Sequence, residues 1–307
     1  MPSASIAINN ACNFRCKMCD YGQKENTAGL SNNWHTDEKP ISVDNWIQIF
    51  KQYKIDRIQV NGVEPLLYSE IDDFLIRVGA TKPIFLTTNG YLIDEHLDSI
   101  RRGVQELTVS IDGIGDTHNE IRGVRDAYER ATEGLDELKK IGFHRIRLSF
   151  AITPRNVKEM HDVYRMAINR YKTAKIVFNH YNYIAGEVNQ GYNPAAVDTA
   201  ELFRQIQKCP EAVYSPRLKT LAELQAYYMN VPDKPVAAKC KILEQTLKGE
   251  HYTLISNGNF IISARCWKHM SSSEPLTDNR DFIRFHATMK FGMPAKCQRL
   301  CCAGKTV

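Results

Sequence analysis

The chain has 307 residues, 43% hydrophobic and 24% charged, with a formal charge of +5. That mild basic excess, with no dense Lys/Arg block, describes a mixed solvated surface, and a nucleic-acid partner is not expected. No apolar run approaches the roughly 20 residues that span a bilayer, and the first ten residues carry neither a basic n-region nor an apolar h-region, so a cytoplasmic protein with no membrane partner is expected.

Short apolar runs alternate with helical patterns through the first 180 residues. Residues 5–8 read as a strand, and residues 42–54 as a helix with Ser42 as its N-cap. Strands follow at 56–60, 83–88, 105–111, 145–152 and 174–181. Helices are expected at 69–79, 93–103, 126–142 and 156–171, and glycines close the first three of these. Six strand-then-helix units imply a parallel sheet with right-handed crossovers, either open or closed into a partial barrel. Residues 186–237 break this rhythm with Pro194, Pro210, Pro216, Pro232 and Pro235 and read as a helical bridge. From 238 to 307 the chain is cysteine-rich, with a hairpin expected around Asn257-Gly258 within residues 251–264. The expected division is therefore 1–185, 186–237 and 238–307.

Nine cysteines stand at Cys12, Cys16, Cys19, Cys209, Cys240, Cys266, Cys297, Cys301 and Cys302. Clustering at the two ends favours metal ligation over a disulfide framework. Cys12, Cys16 and Cys19 fall directly after the first strand, at the end of a parallel sheet where active sites gather. A structural zinc or a fully ligated iron–sulfur cluster takes four protein ligands. Three leave a choice between a remote fourth cysteine, as in a zinc knuckle, and an open metal position for a small molecule.

The Cys-x3-Cys-x2-Cys spacing in that position resembles the radical S-adenosylmethionine (radical SAM) superfamily. The resemblance implies a [4Fe–4S] cluster on three cysteines, with SAM chelated at the open iron and cleaved to a 5′-deoxyadenosyl radical. Met18 stands where many members place an aromatic near the adenine. Three further motifs follow in order. Residues 61–67, with Gly62, Val63 and Glu64, are similar to the family's Gly-Gly-Glu-Pro loop that meets the SAM amino group; Val63 replaces the second glycine. The turn at 87–90 with Asn89 is similar to one lining the site. Residues 109–113 and 117–123 resemble a signature in which Ser110 reaches SAM, Asp112 shapes the mouth and Arg122 pairs with a carboxylate. The implied fold is α/β, a partial (β/α)6 barrel with a small C-terminal domain.

Cys240, Cys266, Cys297 and Cys301 around the hairpin resemble the twitch form of a SPASM domain, implying an auxiliary [4Fe–4S] cluster. A zinc site is the alternative there. Cys302 is the alternative to Cys301 as the fourth ligand, so Cys209 and Cys302 (or Cys301) are left over, either as small buried hydrophobes or as a thiol hydrogen donor of the kind radical epimerases use. The expected substrate is a small polar molecule such as an aminocyclitol, sugar or aminoglycoside, dehydrogenated or epimerised, because no leader-peptide-binding domain precedes the first strand. Peptide modification is the runner-up, and a redox or regulatory iron–sulfur protein that never cleaves SAM is the remote one. No Gly-Gly tail like that of the nucleotide cyclase of molybdopterin synthesis is present. Residues 179–183 and Glu187 are candidate substrate contacts. A flavodoxin- or ferredoxin-type electron donor is the expected partner.

Overall fold

Hydrophobic alternation sets the sheet. The computed structural model describes residues 2–19, 39–173, 175–180, 190–192, 196–215, 217–218, 220–229, 251–254 and 260–261. All six expected strands form within two residues of their expected bounds: β1 (Ser3–Ala7), β2 (Arg57–Asn61), β3 (Ile84–Thr88), β4 (Val104–Ser110), β5 (Ile146–Ile152) and β6 (Ile176–His180). Between them lie α1 (Val43–Gln52), α2 (Ile71–Gly79), α3 (Leu97–Gly103), α4 (Asp116–Arg122), α5 (Ala127–Lys140) and α6 (Met160–Asn169). Ser42 caps α1 by accepting the Asn45 N–H, and Val43, Trp46 and Phe50 form its buried stripe.

Three further strands extend the sheet. These are β7 (Val213–Ser215), β8 (His251–Leu254) and β9 (Phe260–Ile261), giving the order β7-β6-β5-β4-β3-β2-β1-β8-β9. All neighbours pair parallel except β8 with β9. The result is an α/β partial barrel, parallel throughout apart from the β8–β9 pair.

The two faces of the sheet differ in chemistry. One in-register row, Ile6, Val60, Leu86, Leu107 and Ile146, is fully apolar and buried under the helices. The opposite, inner face carries Ser5, Gln59, Phe85 and Glu106 in one row. Nearer the C-terminal ends of the strands it pairs Ser110 with Ser149 and Ala151 with Asn179. A barrel filled by its own side chains presents branched apolar residues inward. Here hydroxyls and amides point inward and Asn179 Nδ2 donates to Ser149 Oγ at 2.9 Å, so the inner face is suited to a polar guest.

Several elements depart from the sequence reading. The helix expected over 93–103 begins as a 3-10 turn, Ile93–Glu95, and restarts at Leu97. His96 leaves helical geometry at φ −127°, and Asp72 Oδ1 anchors both His96 Nδ1 and Ser99 Oγ. The expected helix over 156–171 likewise opens with a 3-10 turn, Val157–Glu159. The motif at 117–123 turns out to be a helix, α4. The bridge contains α7 (Thr199–Lys208) and α8 (Leu221–Met229) and also supplies β7 beside β6. The hairpin was expected in a separate C-terminal unit, but β8 joins the main sheet as the parallel neighbour of β1, where Ser3 Oγ and His251 Nδ1 lie 2.8 Å apart.

Candidate functional site

The polar loops after β1, β2, β3 and β4 meet at the C-terminal end of the sheet, and their hydrogen bonds define the site. Immediately after β1, buried Asn9 accepts the Ala11 N–H at Oδ1 and donates from Nδ2 to the Glu64 carbonyl. The Glu64 N–H in turn donates to the Ala11 carbonyl at 3.0 Å. The loop after β2 thus clamps the start of the cysteine loop. Gly62 makes that approach possible: at φ +105° a Cβ would stand 2.9 Å from Ala7 Cβ. Val63, half-buried, occupies the next position.

Glu64 is the hub. It is 1% exposed, and its carboxylate accepts from Thr88 Oγ1 at 2.6 Å, from the Asn89 N–H at 2.7 Å and from the Leu66 N–H at 3.0 Å. Burial raises its pKa, and these three donors oppose the rise. Asn89 also reaches back to the cysteine loop, with Nδ2 donating to Asn13 Oδ1 at 2.7 Å.

Cys12 is half-buried, Cys16 buried and Cys19 exposed, and none is in a disulfide. The Cys19 N–H donates to the Cys16 carbonyl at 3.1 Å, turning the loop, and the Phe14 N–H donates to Cys12 Sγ at 3.4 Å. Phe14 anchors the loop from below, edge-on to Tyr91 with centroids 5.6 Å apart. From the other side α4 braces it. The Lys17 N–H donates to the Ile121 carbonyl at 2.9 Å. Gly123, at φ +68°, lets the Arg15 carbonyl approach where a Cβ would stand only 2.4 Å away. Burial pushes the Cys16 thiol up to about 12, opposed by the Arg122 guanidinium and reinforced by the Cys19 and Cys12 charges. Burial raises Cys12 as well.

These properties bear on what the loop can hold. Three soft sulfur donors lie close enough to feel one another's charge, with an N–H and a guanidinium directed at two of the sulfurs. Bare thiolates are disfavoured at buried Cys16 and half-buried Cys12, so a cationic, thiophilic group is what would stabilise them. Among the described residues no three His, Cys, Asp or Glu side chains converge tightly enough for a single metal ion. Three cysteine sulfurs on one loop, each able to hold one iron, are the donor set that a cubane with one open iron takes.

At the end of β4, Ser110 faces inward, while Asp112 is completely buried. Asp112 Oδ1 accepts the Ala151 N–H at 2.7 Å. Its own N–H donates to His118 Nδ1 at 2.9 Å, and its carbonyl accepts Asn156 Nδ2 at 2.8 Å. Arg122 Nη2 pairs with Asp112 Oδ2 at 2.7 Å. Asp112, expected to shape the mouth, and Arg122, expected to pair with a carboxylate, close on each other in the interior, so the carboxylate that Arg122 meets is that of Asp112 itself. Met18 packs with Ile121, Tyr192 and Ala151.

Of the two readings of Cys209, its position accords with the small buried hydrophobe. It ends α7 inside the main hydrophobic core on the helix side of the sheet, fully buried, with its thiol raised to about 12 by burial. Among the candidate substrate contacts, Asn179 faces inward. His180 turns to the helix side, its Nδ1 lying 2.6 Å from Tyr228 Oη. Residues 181–183, Glu187 and Cys240, Cys266, Cys297, Cys301 and Cys302 lie outside the described residues. The sequence reading missed Asn9, Asn13, Asn156 and His118, all of which hold the loops together. A run of asparagines directly after a strand was the signal for the first two.

Comparison with known proteins adds a family. The pattern of the radical SAM superfamily matches residues 6–167. A probable GTP 3′,8-cyclase of Sulfolobus acidocaldarius is 27% identical over 158 residues, covering 50% of this chain and 48% of that protein. The GTP 3′,8-cyclase of Helicobacter pylori is 24% identical over 173 residues, covering 54% and 52%. The chain thus spans about half the length of the curated relatives it matches. Among solved structures, Streptococcus suis SuiB bound to its precursor peptide SuiA superposes with a TM-score of 0.67 at 15% identity, covering 95% of this chain and 66% of SuiB. The AdoMet-bound anSMEcpe gives 0.58 at 16% identity, covering 100% and 85%. At such identities the likeness is one of fold.

Proposed function

The chain belongs to the radical SAM superfamily, whose cofactors are a [4Fe–4S] cluster and SAM, and on that premise we propose that it holds the cluster on Cys12, Cys16 and Cys19 and acts on a small polar substrate inside the partial barrel. When bound, these cofactors supply a 5′-deoxyadenosyl radical that abstracts hydrogen from a substrate carbon. The chain's own residues supply the seat. Asn9, Asn13, Glu64 and Asn89 lock the loops after β1, β2 and β3 to one another. Gly62 and Val63 would present backbone to the SAM amino group, Glu64 would stand in the same loop as its acid, Ser110 would offer its hydroxyl to SAM, and Met18 would pack near the adenine. The observation that carries the reading is the convergence of the three-cysteine loop with the Glu64 loop at the C-terminal end of a parallel sheet.

The polar inner face, with Ser110, Ser149 and Asn179, supports a hydroxyl- or amine-bearing substrate such as an aminocyclitol or sugar, dehydrogenated or epimerised. The sequence likeness to GTP 3′,8-cyclases supports a second reading, radical cyclisation of a purine nucleotide. Cys240, Cys266, Cys297 and Cys301 would hold an auxiliary cluster, and an external flavodoxin or ferredoxin would supply electrons.

Anaerobic reconstitution, reduction and measurement of 5′-deoxyadenosine against a panel of aminocyclitols, sugars, GTP and peptides tests this. Wild type should bind about eight irons per chain and the Cys12→Ala/Cys16→Ala/Cys19→Ala variant about four, with SAM cleavage abolished. A triple variant that kept all its iron would remove these cysteines from the site.

A further inference from the structure

A cation from outside the cysteine loop reaches one of the loop's sulfurs. Arg15 Nη1 donates to the Phe14 carbonyl, and Lys17 pairs with Glu120 at the surface. Arg122, more than a hundred residues away in the chain, instead places Nη1 3.9 Å from the buried Cys16 Sγ, within hydrogen-bonding range for sulfur. Its other terminal nitrogen is held by Asp112 at 2.7 Å. Asp112 in turn is fixed by bonds to Ala151, His118 and Asn156, from β5, α4 and the turn after β5. The guanidinium is therefore aimed by a buried anion, with Nη2 on Asp112 and Nη1 toward Cys16 Sγ, and of the two charges that of Arg122 acts more strongly on Cys16.

We propose that Arg122, oriented by Asp112, is a positioning residue that acts through the Cys16 sulfur to raise the reduction potential of the cluster held by Cys12, Cys16 and Cys19. Reduction adds one electron, from a low-potential external donor, to the cluster–thiolate unit. A cation and hydrogen bond at a ligand sulfur stabilise that more negative state, and the low-dielectric surroundings preserve the effect. Asp112 has two opposed effects: it orients the cation, and its own charge partly cancels it. Charge effects of opposite sign therefore follow from the two ends of one ion pair.

The inference rests on the cluster reading of the three cysteines, and the test separates the two. Reconstituted wild type, Arg122→Gln, Arg122→Lys and Asp112→Asn are titrated with dithionite without SAM. The midpoint is followed on the paramagnetic signal that the triple cysteine variant lacks. Arg122→Gln should lower the reduction equilibrium constant about tenfold, 59 mV for a one-electron couple. Arg122→Lys should lower it less. Asp112→Asn, which removes the charge while its amide oxygen still accepts from Arg122 and keeps the orientation, should raise it. A merely structural role would move Arg122→Gln and Asp112→Asn in the same direction or leave both at the wild-type midpoint, and either result overturns the proposal. Should Arg122→Gln fail to retain iron, the opposed signs of Arg122→Lys and Asp112→Asn decide. A wild type with no cluster on the three cysteines overturns the proposed function itself, whereas an intact cluster with unmoved midpoints overturns only the role of Arg122.

Discussion

Thr88 Oγ1 donates a 2.6 Å hydrogen bond to Glu64 Oε1, tying the end of β3 to the loop after β2 inside the protein. With the Asn89 and Leu66 N–H groups also directed at this carboxylate, Glu64 is the structural hub of the loop proposed to meet SAM. In Glu64→Gln, the amide group at the Oε2 position would face the Asn89 N–H, donor against donor. A loss of about 1–3 kcal/mol in urea unfolding is expected, together with weaker SAM binding at unchanged iron content. Wild-type unfolding of this variant would show that the carboxylate does not hold the two loops together.

Gly123 is the second half of the brace on the cysteine loop. Gly123→Ala puts a Cβ against the Arg15 carbonyl at a left-handed φ. The strain should cost about 1–3 kcal/mol. It should also displace the Cys12–Cys19 loop, so iron per chain after reconstitution should fall toward that of the triple cysteine variant. Full iron loading would mean that the loop can shift without cost.

Cys209 lies in the apolar core, so Cys209→Ala should leave 5′-deoxyadenosine formation and product unchanged, apart from a packing loss of about 1 kcal/mol. The thiol-donor reading then falls on Cys302. For an epimerase, Cys302→Ala should still form 5′-deoxyadenosine while product and solvent-deuterium incorporation vanish. For a dehydrogenase it should turn over normally. Loss of product in Cys209→Ala with the fold intact would return that thiol to the chemistry.

His180 supplies an acid-sensitive contact. Burial lowers its pKa from 6.5 to about 4, so the folded state stays neutral where the unfolded chain takes up a proton. Its contribution to stability is complete above about pH 6.5 and is lost as pH falls toward 4, by about 3 kcal/mol at most. Denaturant melts between pH 7 and 4 should show this acid limb. His180→Gln, which keeps a hydrogen-bonding group for Tyr228 Oη, should flatten it. An identical acid limb in the variant would assign the effect to other groups, buried His118 among them.

The six β/α units and the order of the SAM-type motifs are legible in the residues alone, because hydrophobic periodicity and turn residues are local signals. Val60 and Leu86 fall in one apolar row since alternation along each strand fixes which face is buried. The Cys12-Cys16-Cys19 spacing was legible for the same reason: eight consecutive positions carry it. Tertiary structure alone decided how distant residues pair. Alternation cannot say which strand lies beside which, so the placement of β8 against β1 was invisible, as was the inclusion of residues 251–254 in the main sheet. The burial of Asp112 against Arg122 depends on α4 folding back under the mouth, and the approach of Arg122 to Cys16 on a contact across 106 positions of chain. Such pairings are set by where the chain crosses itself, and the physical chemistry of the site follows from those crossings.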